Sequence, residues 1–170
     1  VLNKNRGGPV TAVIETQTSR SPRVPPHSIE AEESVLGSVL LSSDAANVAL
    51  EKLHVEDFYK PAHQRIFEVV KQLFDANEPI DAVTVSEGLR RDGSLDRMGG
   101  IEVLTRLIDS VPSTSNAEYY AGIVEEHALR RRLMRVGGDI GVIAAQTQEP
   151  IAEVVDQAEQ AVFAVAERQV

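Results

Sequence analysis

The sequence predicts an all-α fold: a compact helical bundle head followed by a protruding antiparallel helical hairpin. Three observations carry that expectation. From Ser28 to Pro112, apolar residues recur at three- and four-residue spacing in short segments parted by polar joints, the grammar of a bundle. From Ser115 to Pro150 the chain meets no helix breaker stronger than glycine, so one long helix is expected. Two apolar seams with 4-3-4-3 spacing then flank a very short turn at Pro150, which is how two arms of a hairpin are written.

The elements follow in order. Residues 1–26 are rich in Ser, Thr, Arg and Pro and end in "RSPRVPP", which reads as a flexible tail; within it "TAVIETQT" alternates weakly, as an opportunistic strand would. The head is expected over 27–114. "HSIEAEESVLGSVLL" offers Ser28 as a cap and acids in the first turn, where they suit the helix dipole, with Val35, Leu36, Val39 and Leu40 on one face. Asp44 is placed to cap a second helix reaching Leu53, and Pro61 opens a third. In the third, Ile66, Phe67, Val70, Leu73 and Phe74 follow at helical spacing. Asp81 caps "AVTVSEGLRRDG", which Gly93 stops, and "GGIEVLTRLIDSVP" is a fifth helix ending before Pro112. The expected core is Leu36, Val39, Leu40, Ile66, Phe67, Val70, Leu73, Leu89, Leu104 and Leu107.

The remaining segment, 115–170, holds the long helix and the hairpin. "SNAE" forms a capping box if Ser115 is the cap, and Asn116 is the alternative cap. Leu129, Leu133, Val136, Ile140 and Ile143 make one seam, and Ile151, Val155, Ala158, Val162 and Val165 the other. These arms carry more apolar surface than a single pairing uses. At about 100° per residue, Phe163 lies roughly 140° from its seam, among Asp156, Glu159 and Glu167. Met134 lies off the other seam with Gly137, Gly138 and Gly141. Each interior glycine costs up to about 1 kcal/mol relative to alanine, so a cluster fits a place where another backbone comes close. Met134, Gly137, Gly138, Gly141 and Phe163 are therefore the expected contact with another subunit. The plainer alternative is that Phe163 folds over its own arm and the glycines are merely tolerated.

Composition narrows the function. The 170 residues contain no cysteine, which excludes a disulfide framework and thiolate zinc sites. No apolar run approaches the roughly 18 residues of a membrane span, and the first residues lack a signal peptide's pattern. The formal net charge of −9 argues against a tight grip on duplex DNA by this chain alone. There is no G-x-x-x-x-G-K-[ST] phosphate loop, and the four histidines show no i,i+4 pairing with one another. The His63 of "KPAHQRIF" reads as a packed or capping residue. No residue is assigned a catalytic, cofactor-binding or metal-ligating role. The one basic cluster, Arg130, Arg131, Arg132 and Arg135, fans around its helix; it reads as a solvated collar pairing with Glu125 and Glu126, or as a contact for an acidic partner or passing nucleic acid.

Taken together and in order, "PPHSIEAEESVLGSVLLS", "DFYKPAHQRIFEVVKQL", "EPIDAVTVSEGLRRDGSLDRMGG" and "VPSTSNAEYYAGIVEEHALRRRL" resemble the N-terminal domain of the bacterial replicative DNA helicase, the DnaB family. The resemblance covers about Pro25 to Arg168. It implies the collar tier of a hexameric ring, in which hairpins of neighbouring subunits pair to give a trimer of dimers. It also implies primase and a helicase loader as partners and a cytoplasmic setting at the nucleoid-associated replication fork, with no membrane. ATP and magnesium, ATP hydrolysis and translocation on single-stranded DNA belong to a separate RecA-like motor outside these residues, so no cofactor is expected here. A different class of function, a stand-alone helical DNA-binding regulator using residues 84–93, is the alternative.

Overall fold

A computed structural model of the chain describes residues 23–146 and 148–167, and among them it is all-helical with no strand. The weak strand expected at "TAVIETQT" lies outside the described residues. Six helices build the head where five were expected: α1 (Ile29–Leu41), α2 (Ser43–Lys52), α3 (Pro61–Asp75), α4 (Ala82–Arg90), the short α5 (Ser94–Arg97) and α6 (Glu102–Asp109). Then α7 (Ala117–Ala145) runs for 29 residues, and α8 (Ile151–Glu167) folds back along it.

Local chemistry explains most of the boundaries. Ser28 caps α1 by accepting from the Ala31 amide at 3.2 Å, Pro61 sits at the start of α3, and Asp81 forms a reciprocal capping box with Thr84 on α4. Asp44 is not the cap of α2. Ser42 is, accepting from Ala45 N at 3.3 Å while its own amide closes α1 on Ser38. One extended residue ends one helix and opens the next, so no separate joint is needed. The "SNAE" capping box is also absent. A 3-10 turn, Thr114–Asn116, leads into α7, Asn116 makes no side-chain cap bond, and Ser115 bonds instead to Ser113.

All ten expected core residues are buried in one cluster. The cluster also takes in Phe58, Val85 and Leu95 from the head and Ala121 and Val124 from α7. Phe74, expected on the apolar face of α3, is instead 49% exposed. The first turns of α7 thus belong to the head: Ala117, Ala121, Val124 and Ala128 are buried, and α7 packs on α1 and α2. Beyond Arg132 it leaves the head, and α8 is its partner. At about 1.5 Å per residue, α7 is roughly 44 Å long and spans both parts.

Where α7 leaves, the joint is polar. Glu32 reads as a first-turn acid, but its carboxylate is buried and accepts from the amides of Tyr59 and Lys60, with His63 Nδ1 at 2.6 Å. Its place one turn before Val35 and Leu36 is the signal that it lies on the buried stripe. Glu32→Ala strands those donors, and it should lower stability by about 1–3 kcal/mol. Urea unfolding measures it, and a loss below about 0.5 kcal/mol would show that the pairing contributes nothing.

Candidate subunit-contact site

The basic cluster divides by position around α7. Arg130 pairs with Glu126 at 2.8 Å, holding the Glu126 carboxyl below its usual range. Glu125 pairs instead with Lys52. Arg131 turns back onto the head: it donates to the carbonyls of Pro26 (2.7 Å) and Asp57 (2.6 Å) and lies over the Tyr59 ring, which stacks on His27. Burial lowers the Arg131 pKa, opposed by Glu32 and Asp57 nearby. Arg132 faces the buried Asp57 at 3.8 Å. Two of the arginines therefore fix the base of the hairpin to the head. The sequence did not reveal this, because their partners are backbone carbonyls and a residue more than seventy positions away.

The hairpin seam differs from the expected one on α8. Val154 and Val165 are buried there and Ala158 and Ala161 half-buried, a 4-3-4 set facing α7. Ile151, Val155 and Val162, expected in the seam, are 75%, 47% and 48% exposed. Ala158 and Val165 are common to both sets. The apolar arc of α8 runs from Ala161 round to Phe163, roughly 200° at 100° per residue, more than one neighbouring helix covers. The arm turns its smaller side inward, where Ala158 and Ala161 allow close approach, and leaves its bulkier side out. On α7, Leu129, Val136, Ile140 and Ile143 are half-buried, but Leu133 is 47% exposed.

The outward set is continuous. Ile151, Val155, Val162 and Phe163 on α8 lie on the same side of the hairpin as Leu133, Gly137 and Gly141 on α7, since antiparallel helices turn matching flanks to one face. Met134 and Phe163 are both exposed, so Phe163 does not fold over its own arm. A groove of about 490 Å³ runs between the arms, lined by Ile140, Ala158, Glu159, Val162, Phe163 and Ala166. A Cβ added at Gly137, Gly138 or Gly141 would meet nothing within 4 Å, whereas one at Gly37 or Gly88 would run into a neighbouring helix. Among the described residues, packing therefore accounts for Gly37 and Gly88 but for none of Gly137, Gly138 and Gly141.

The model of the family "DnaB-like helicase N terminal domain" matches residues 24–126, well over half of the chain. The chain belongs to this family. The replicative DNA helicase DnaB of Mycobacterium leprae is 47% identical over 148 residues, covering 85% of this chain and 24% of that protein. The chain thus spans about a quarter of that relative's length. Among solved structures, the N-terminal domain of DnaB helicase from Mycobacterium tuberculosis aligns with a TM-score of 0.75 and 45% identity, covering 82% of this chain and 99% of that one. A DnaB-like replicative helicase, described with its interactions with primase, aligns at a TM-score of 0.65 and 22% identity over 80% of this chain and 31% of that one, a likeness of fold.

As a DnaB-like N-terminal domain, the chain uses residues 84–93 for packing. Val85, Ser86 and Leu89 of α4 are buried, and Arg90 pairs with Glu87. The turn after α4 is held by Asp92, whose carboxyl is kept below its usual range first by the Ser94 hydroxyl and amide, then by Arg65. The stand-alone regulator reading is set aside by the family and by this burial. No described helix of this DnaB-like domain is long and apolar enough to cross a membrane.

Proposed function

We propose that the chain is the collar module of a hexameric replicative DNA helicase, associating with neighbouring subunits through the outward face of its hairpin and docking primase and a helicase loader. In this reading hairpins pair two by two, and three pairs close the ring. A motor elsewhere in the full protein hydrolyses magnesium–ATP and moves on single-stranded DNA, in the bacterial cytoplasm at the replication fork. The observation that carries it is the outward apolar face with Phe163 on one arm and Met134, Gly137, Gly138 and Gly141 on the other. Nothing among the described residues requires those glycines, and their open side leaves room for a second backbone. Of the relatives named above, the DnaB-like helicase described with its interactions with primase supports primase as a partner. The rigid passage of α7 from head to hairpin supports the division of labour: the head is positioned by whatever the hairpin grips.

Burying a phenylalanine side chain contributes about 1.5–3 kcal/mol, and a symmetric pair contains two such sites. Phe163→Glu should therefore weaken self-association by about a hundredfold or more while each chain stays helical. Gly141→Leu should do the same by holding the backbones apart. Sedimentation equilibrium alongside circular dichroism tests both; variants that sediment like the parent at equal concentration would place the contact elsewhere.

A further inference from the structure

The outward face of the hairpin is at once knob and hole. Phe163 stands at the rim of the groove it helps to line, 62% exposed. A twofold axis beside it would seat each Phe163 in the other copy's groove, so a second copy of this chain is the occupant that fits. The charges around that face do not fit so well. Past Val136 the described hairpin carries Asp139, Glu149, Glu153, Asp156, Glu159 and Glu167 and no lysine or arginine. None of these acids has a cationic partner among the described residues. Glu159 lines the groove itself; Glu159 and Glu167 lie one turn either side of Phe163, and Asp156 two turns before it. A pair closed through Phe163 brings two such acidic arms together.

We infer that the hairpin contact is apolar attraction working against like-charge repulsion, so that ionic strength regulates it with an unusual sign: added salt tightens the assembly. The inference rests on the hairpin contact proposed above. Raising salt from about 0.02 M to about 0.5 M shortens the screening length from roughly 20 Å to under 5 Å, shorter than the separation of acids across such a contact. Association driven by opposite charges would weaken over the same range.

The test is sedimentation equilibrium of the 170-residue chain across that salt range, for the parent, Phe163→Glu and the double variant Asp156→Asn/Glu159→Gln. The parent's association constant should rise by about tenfold, the scale of several like-charge pairs about 10 Å apart in water. The double variant should associate more tightly than the parent at low salt and respond less to added salt. If the parent associates, Phe163→Glu dissociates it, and added salt weakens the parent, the charge inference is overturned while the hairpin contact stands. A double variant that keeps the parent's full salt response overturns it likewise. If the parent stays monomeric at every salt concentration, or Phe163→Glu associates as the parent does, the hairpin contact fails and the inference falls with it.

Discussion

Phe67→Ala is expected to destabilise the head by about 3–5 kcal/mol. Phe67 is 1% exposed, and its ring lies 4.9 Å from that of Phe58 at an interplanar angle of 41°. The cluster around it is drawn mostly from α1, α3, α4 and α6, with Phe58 from the segment before α3, so the space left by the ring cannot close without moving α3. Urea unfolding of the parent and the variant checks the figure. A loss below about 1 kcal/mol would mean that the core collapses around the site, which the packing of α3 does not allow.

Gly37→Ala should be comparably severe for the opposite reason. A Cβ at this position would stand 2.0 Å from the Leu107 carbonyl oxygen and 2.4 Å from Val111 Cγ2. The first of these is backbone of α6 and cannot rotate away. Helices α1 and α6 would have to separate, exposing part of the cluster around Leu36, Leu104 and Leu107. Overpacking costs typically about 1–3 kcal/mol and occasionally more, and the upper end of that range is expected because backbone is struck. A thermal midpoint equal to the parent's would show that α1 and α6 do not approach so closely. Gly37 thus differs from the glycines at 137, 138 and 141: it lets two helices of one head meet, whereas they leave a flank of α7 bare.

Much of the head could be read from spacing. Ile66, Phe67, Val70 and Leu73 share one helical face, Pro61 starts their helix and Asp81 starts the next, because propensity, capping and burial all point the same way there. The misreadings occur where two choices are nearly equal. Ser42 and Asp44 can both cap α2, and tertiary closure of α1 on Ser42 decides between them. On α8 two apolar registers one residue apart share Ala158 and Val165, and spacing alone favours the bulkier one. Pairing inside a chain favours small side chains and close backbones, so the arm turns Val154 and Ala161 inward. This shift enlarges the outward face instead of removing it: Ile151, Val155 and Val162 join Phe163 there. Glu32 and Arg131 were illegible for another reason. Each bonds to main-chain groups of a distant segment, and no side-chain pattern records such a partner.

If copies meet through the outward face of the hairpin, that face is shielded on association. The chain has no cysteine, so a single Val162→Cys substitution gives one thiol on the face, and Val83→Cys gives a reference on the head, where Val83 is 75% exposed. Thiol-modification rates are measured for both over a concentration series that spans self-association. Cys at 162 should react more slowly as the chain associates, by about tenfold or more once most copies are paired, while Cys at 83 keeps a constant rate. A Cys at 162 that reacts equally fast in the associated and dissociated chain would contradict contact through the outward face.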